Sequence, residues 1–375
     1  MCDLVLYIIF IMAERYNKIL IVKPSSLGDV IMTLPALSAI RRSYPDATIS
    51  WLIRPEFSDL IRGNPYLDEI INFDRKFLAK AVYKPSALAA IFELIKKLRR
   101  SKFDVVFDFQ GLFRTASLSF LSGSPVRYGL SNSREFAPLF YTHKAPVDPN
   151  RHHIVEMFMD MLEFAGIAAK KVEFTLPIDS DAEGYALDIL RSSGVEAGQY
   201  AVFIPGSAHK DKCWPAENYS RMAEKIDNEL GVKIVATGSA SEAAIIENIK
   251  SKTNVEILNL AGKTNLRQLI YVVKGARLVV SNDTGPGHIA AIMGRPMVMI
   301  FGWSNPQRVS AYGRGDTIVA IDQDSRNGII KSKNPTHHIK NITFEEVSKK
   351  LDQQLRQGAM SVTQENGCFK FLINE

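Results

Sequence analysis

The chain has 375 residues, 46% of them hydrophobic and 23% charged, with a formal net charge of +6. That length exceeds what one ordinary core fills and predicts two α/β domains, while the composition excludes global disorder. The mild positive excess suits an anionic ligand or an anionic membrane surface and gives no argument for nucleic acid as a partner.

Leu4 to Met12 (LVLYIIFIM) is an apolar run. It is too short for a membrane span of about 20 residues and lacks the flanks of a secretory signal. Met12 as the natural first residue is the preferred reading, over a weak membrane anchor. Lys18 to Lys23 (KILIVK) reads as a buried parallel strand. Pro24 to Asp29 breaks it, Val30 to Tyr44 has helical spacing, and Ala47 to Ile53 is a second strand. Strand, tight loop, helix and strand form a βαβ unit, the building block of parallel sheets. Ala87 to Arg100 is helical; Phe103 to Phe109 and Val126 to Leu130 are strands. Around Lys171 to Asp181 the chain turns polar, and a domain boundary is placed there, before a helix at Ala182 to Ser192.

A second α/β series follows. Its strands are Tyr200 to Ile204, Lys233 to Ala236, Arg277 to Ser281 and Pro296 to Phe301. Its helices are Ala216 to Leu230, Glu242 to Lys252, Leu266 to Lys274 and Gly287 to Met293. Thr343 and Glu346 match a capping box that opens a last helix, and the tail after Gln357 reads as loose. The expected organisation is an extension over 1–16, domains over 17–180 and 181–357, and a tail over 358–375. Two doubly wound domains leave a cleft at the carboxyl ends of their sheets, where ligands bind.

Four junctions could carry chemistry. Ser25-Ser26-Leu27-Gly28-Asp29 follows the first strand, and its small residues allow close backbone approach to a ligand. Asp29 is either a general base at the cleft or a cap that charges the helix start. Gly206 to Pro215 combines small residues with cations; Lys212 could neutralise a departing diphosphate, or the loop is simply solvated and basic. In Thr237 to Glu242, Glu242 could bind ribose hydroxyls, yet Ser239 and Glu242 also match a capping box. Asn282-Asp283-Thr284-Gly285-Pro286-Gly287-His288 places a Gly-rich turn at a helix start, which suits phosphate.

Other signals are weaker. Asp322-Gln323-Asp324 is read as a chance match to a metal motif. His152-His153 and His337-His338 are adjacent pairs, which do not share a helix face, so no metal site is expected. Cys2, Cys213 and Cys368 lie far apart without metal-ligand spacing, which predicts a reducing cytoplasm. The cluster Lys96, Lys97, Arg99, Arg100 and Lys102 is a solvated face or a contact for anionic lipid.

From Lys18 to Gln354 the chain resembles the ADP-heptose:lipopolysaccharide heptosyltransferases of glycosyltransferase family 9. The resemblance rests on KILIVKPSSLGDVIMTLPALSAIRRSYPDA, FDFQGLFRTA, REFAPLFY, DKCWP and NDTGPGHIAA, in that order. The first half is closest to the heptosyltransferase I type. Pro24 stands where such relatives often carry threonine, and Ser207-Ala208 replaces a threonine pair, so other donor sugars stay open. The resemblance implies a GT-B fold of two Rossmann-like domains, an inverting mechanism, and no cofactor or catalytic metal. ADP-heptose is the implied donor and the Kdo region of lipid A the implied acceptor. It makes Asp29 the candidate base and Lys212 the aid to the leaving diphosphate. It puts Ser207, Glu242, Asp283, Thr284, Gly285 and His288 on the donor, and Ser26, Gly28, Gln110, Arg114 and Arg134 on the acceptor. The enzyme is then expected to be cytoplasmic, peripheral on the anionic inner-membrane surface. An epimerase, or a nucleotide-sugar-binding protein without turnover, is the alternative.

Overall fold

A computed structural model describes residues 16–148, 153–326 and 330–373. The apolar run at 4–12 and His152 lie outside them.

The first domain is built on β1 (Lys18–Val22), β2 (Thr48–Ile53), β3 (Glu69–Asn72), β4 (Val105–Asp108), β5 (Val126–Leu130) and β6 (His143–Ala145). These form one parallel sheet in the order β3-β2-β1-β4-β5-β6. After β7 (Val172–Pro177), the second domain repeats the plan with β8 (Tyr200–Ile204), β9 (Lys233–Ala236), β10 (Ile257–Asn259), β11 (Leu278–Asn282), β12 (Met297–Phe301) and β13 (Ile318–Ala320). Its order is β10-β9-β8-β11-β12-β13, also parallel. In both sheets the order reverses beside the first strand of the domain, β1 or β8, and such a switch point opens a crevice at the carboxyl ends of the strands. The central strands are apolar on both faces because helices cover both faces.

The helix Leu27–Ser43 is buried over most of its length, from Val30 to Ile40. It has no polar face because it packs both on its own sheet and across the domain boundary, against the helix Gly285–Ile292. Arg267 fastens the second domain to the first, with Nε donating to Asp59 O at 2.8 Å and the guanidinium also binding Asp179 and Arg62 O.

The tail departs from the loose reading. β14 (Thr363–Glu365) and β15 (Cys368–Ile373) form a hairpin, and β15 pairs antiparallel with β7. β15 therefore lies against the connection that leaves the first domain. Cys368, Phe369 and Phe371 are buried there, while Lys370 points to Glu365. The alternation in CFKFLI is a strand signal that the polar residues before it obscure. Two buried phenylalanines contribute about 3–6 kcal/mol. Truncation after Gly358 is expected to cost that much in urea denaturation, and an unchanged midpoint would refute a stabilising role for the hairpin.

Candidate active site

Asp29 lies in the first turn of the helix Leu27–Ser43 and does two things at once. Its Oδ2 accepts hydrogen bonds from the Ser26 backbone N–H and hydroxyl, each at 2.8 Å, which is the capping geometry. Its Oδ1 faces Lys23 Nζ at 4.0 Å, and 34% of the side chain remains exposed. Lys23 directly follows β1 and is buried; its Nζ donates to Phe109 O at 3.0 Å and sits over the Phe158 ring. Trp51 Nε1 donates to Lys23 O at 3.1 Å and fixes the backbone where the strand becomes loop. Burial alone would raise the Asp29 pKa, but Lys23 and the two Ser26 bonds outweigh it and hold the carboxyl below its usual range. Asp29 is therefore ionised at neutral pH.

Across the boundary, Lys212 follows β8 in the turn Lys210–Lys212. Its Nζ lies 2.5 Å from Asp283 Oδ2 and over the Trp303 ring, 4.9 Å from the centroid. Asn282 locks this arrangement. Its Oδ1 accepts from Trp214 N and the Tyr219 hydroxyl, each at 3.2 Å, and its Nδ2 donates to Pro205 O at 2.6 Å. One buried amide thus ties the end of β11 to both ends of the loop that carries Ser207 and Lys212.

Thr284 is the N-cap of the helix Gly285–Ile292 and makes no side-chain cap bond. The positive end of the helix dipole and its first-turn amides remain for an anion. His288, buried on the same helix, has Nε2 4.0 Å from Asp283 Oδ1. Burial pushes its pKa below 6.5 against the pull of Asp283 and Asp29, so the ring is neutral at pH 7. The domains meet closely here: a Cβ on Gly28 would lie 2.9 Å from His288 Cδ2, and one on Gly285 2.6 Å from the Leu27 side chain.

Two cavities flank Asp29. The larger, about 510 Å³, is lined by Ser26, Gly28 and Asp29 from the first domain and by Ser207, Lys212, Asp283, Thr284, Gly285 and His288 from the second. The smaller, about 300 Å³, is lined by Lys23, Asp29, Asp108, Gln110, Arg134 and Arg308, among others. Most of the sequence-selected residues thus come together around one carboxylate. Ser26 and Gly28 line the larger cavity with the second-domain motifs, not the smaller one with Gln110 and Arg134.

Two selected residues line neither. Arg114 sits in the helix Phe113–Leu121 and lines neither cavity, although Gly111 just before that helix lines the smaller one. Glu242 uses Oε2 to accept from the Ser239 N–H and hydroxyl at 2.6 and 2.8 Å, as its capping-box spacing foretold. It packs over Gly206, beside the loop that carries Ser207. Asp322 contacts His337 Nε2 at 3.1 Å, and His153 Nε2 bonds Ser310 O at 3.0 Å. Among the described residues no group of three or more His, Cys, Asp or Glu side chains is arranged to hold a metal.

Sequence reasoning missed Lys23, Asp108, Trp303 and Arg308. A lysine closing an otherwise apolar buried strand was a usable signal for Lys23. Asp108 accepts from Tyr141 Oη at 2.9 Å and from the Gln110 and Gly111 amides at 2.9 and 3.2 Å, and so shapes the loop after β4. Trp303 and Arg308 lie in a polar connection that carries no motif.

Two parallel, doubly wound domains, with an ionised carboxylate on one opposite a cation and a helix start on the other, have the architecture of a GT-B glycosyltransferase. Residues 91–337 match the model of glycosyltransferase family 9 (heptosyltransferase), and the chain belongs to that family. It is 27% identical over 312 residues to lipopolysaccharide heptosyltransferase 1 of Escherichia coli K12, covering 82% of this chain and 95% of that one. Among solved structures it resembles the glycosyl transferase family 9 protein of Veillonella parvula, with a TM-score of 0.78 at 24% identity, over 92% of this chain and 99% of that one. It also resembles E. coli heptosyltransferase WaaC with ADP, with a TM-score of 0.71 at 24% identity, over 90% of this chain and 99% of that one.

Proposed function

We propose that the enzyme moves a heptose from ADP-heptose to the Kdo region of the lipopolysaccharide inner core, with inversion and without a metal or cofactor. The observation that carries this reading is the position of Asp29, shared by a cavity lined with phosphate-type motifs and a cavity lined with cations. ADP-heptose takes the larger cavity. Its diphosphate meets Lys212, Ser207 and the amides at Thr284 and Gly285, and Glu242 beside Gly206 reaches toward the ribose. The acceptor hydroxyl enters from the smaller cavity, past Gln110 and Arg134. Asp29 takes the hydroxyl proton as the oxygen attacks the anomeric carbon from the face opposite ADP. The bond from that carbon to the β-phosphate oxygen breaks, and its electron pair leaves on the phosphate. Lys212 and the helix start stabilise this charge, an effect often worth several kcal/mol.

The decisive assay follows radiolabelled ADP-heptose onto Kdo-lipid A, with UDP- and GDP-sugars as competitors and with excess EDTA in one arm. Transfer that ADP-heptose alone supports, undiminished by EDTA, is expected. Metal-dependent turnover would refute the metal-free reading, and sugar conversion without acceptor would replace transfer by epimerisation.

A lipid-linked acceptor also brings the enzyme to the anionic, cytoplasmic face of the inner membrane. Among the described residues no helix is long and apolar enough to cross a membrane. The first domain instead exposes Val82, Tyr83, Leu88 and Phe92 in and just before the helix Pro85–Ser101. Phe92 lies in a shallow concavity with Lys96, Arg99, Arg100 and Lys102. Each cation near an anionic surface contributes about 1 kcal/mol. Flotation with anionic vesicles at low salt is expected, with at least about a tenfold loss for Arg100→Glu/Lys102→Glu; equal flotation of the variant would remove this face as the contact.

A further inference from the structure

The smaller cavity holds more positive charge than a neutral sugar needs. Arg134 reaches it from the loop after β5 in the first domain, and Arg308 from the short helix Pro306–Val309 in the second. Among the described residues neither guanidinium forms an ion pair; Arg308 contacts only a soft acceptor, Met157 Sδ, at 3.9 Å. The acids in the same cavity are already committed. Asp108 is held by Tyr141 and two backbone amides, and Asp29 by Ser26 and Lys23. Burial disfavours the Arg308 cation and the Arg134 charge adds to that effect, with Asp29 offsetting only part of it, so the pKa of Arg308 stays lowered. Two cations carried by different domains and facing one small space repel each other until an anion stands between them.

We propose that Arg134 and Arg308 form a clamp across the domain boundary for an oxyanion on the acceptor, a carboxylate or a phosphate, and that Arg308 is its specificity-determining arm. The site lies beside Asp29, so the anion belongs to the sugar that is attacked or to its immediate neighbour. Because the arms sit on different domains, a bound anion favours their approach, and the acceptor helps to assemble the site that consumes it. The assignment rests on the transferase reading for its biological ligand, although the clamp itself requires only an anion.

The test compares wild type with Arg308→Gln, which keeps volume and removes charge, and Arg308→Lys, which restores charge without the fork. With Kdo-lipid A, Arg308→Gln is expected to raise the acceptor KM about 10- to 100-fold. The ADP-heptose KM should stay within about twofold, and Arg308→Lys should recover part of the loss. Esterifying the acceptor carboxylate in one arm, and removing its phosphate in another, identifies the anion. The modification that mimics Arg308→Gln in wild type, and adds nothing to it in the variant, names the group. An unchanged acceptor KM, or equal losses on every modified acceptor, overturns the clamp. NMR titration of free Kdo and of inorganic phosphate supplies a readout without turnover. Binding of either by wild type that weakens in Arg308→Gln supports the proposal; equal binding by both proteins, or none by wild type, overturns it. A wild type that binds the anion but transfers no heptose would retire the transferase reading and leave the clamp standing.

Discussion

Asp29→Ala is expected to lower kcat by about 10²- to 10⁴-fold while ADP affinity stays within about threefold. The two effects separate because Asp29 contacts Ser26 and Lys23, whereas the groups proposed to hold the diphosphate are carried by the second domain. The alanine variant also loses the N3 half of the capping box and leaves the Ser26 N–H without its partner, which costs about 0.5–1.5 kcal/mol. Asp29→Asn removes that ambiguity: the amide oxygen can still accept from the Ser26 N–H, but it cannot take a proton. Equal rate losses in both variants would establish the base, whereas a nearly active Asp29→Asn would reduce Asp29 to a cap.

The pH dependence carries a definite sign. The folded pKa of Asp29 is depressed below 3.8, so its ionised form is present at neutral pH and persists below the usual carboxylate range. The stability this ionisation contributes is complete above the unfolded pKa and is lost as pH falls through the folded one. The kcat/KM profile should therefore show no acid limb from Asp29 near neutrality, only one at acid pH, below the usual carboxylate range. A limb near neutrality, absent in Asp29→Asn, would mean that the hold of Lys23 and Ser26 has been misread. A low pKa makes a weak base, so Asp29 would act through its fixed position beside the acceptor hydroxyl more than through basicity.

The fold and half of the site were legible because their signals are local. Apolar strands followed by small residues and a helix start mark each junction, and every junction lies at the same end of its sheet. Asp29, Ser207, Lys212 and Thr284 could be found from position in a βα turn alone. The two roles of Asp29 were not exclusive, since one oxygen caps while the other faces the cleft. Glu242 follows the same pattern, since its Oε2 makes the cap that the spacing foretold while its Oε1 lies on the Gly206 side. Arg308 and Trp303 gave no local sign, since their significance depends on which distant residues share their cavity. The tail was missed for a related reason: β15 finds its partner in β7, nearly two hundred residues earlier.

Lys212→Ala is expected to lower kcat by about 10²- to 10³-fold, with a smaller rise in the ADP-heptose KM. Part of any such loss could be structural, because Lys212 is the cation beside Asp283, which is buried. Removing one member of a fully buried pair costs about 3–5 kcal/mol, chiefly by stranding the other charge, and because Lys212 keeps 18% of its side chain exposed the cost here falls below that range. The stranded carboxylate has His288 Nε2 4.0 Å from its other oxygen. In the wild type, burial depresses the His288 pKa below 6.5 and the Lys212 charge depresses it further, so removing Lys212 raises it. A rise in the folded pKa favours the folded state below the unfolded value and loses that effect as pH increases. The destabilisation by Lys212→Ala should therefore be smaller at acid pH than at pH 7.5, as histidinium replaces the missing ammonium. Asp283→Asn in the Lys212→Ala background removes the stranded charge and should restore most of the stability at neutral pH. If Lys212 acts on the departing phosphate, the rate must stay low in that double variant. Recovery of rate along with stability would show that Lys212 serves only to neutralise Asp283.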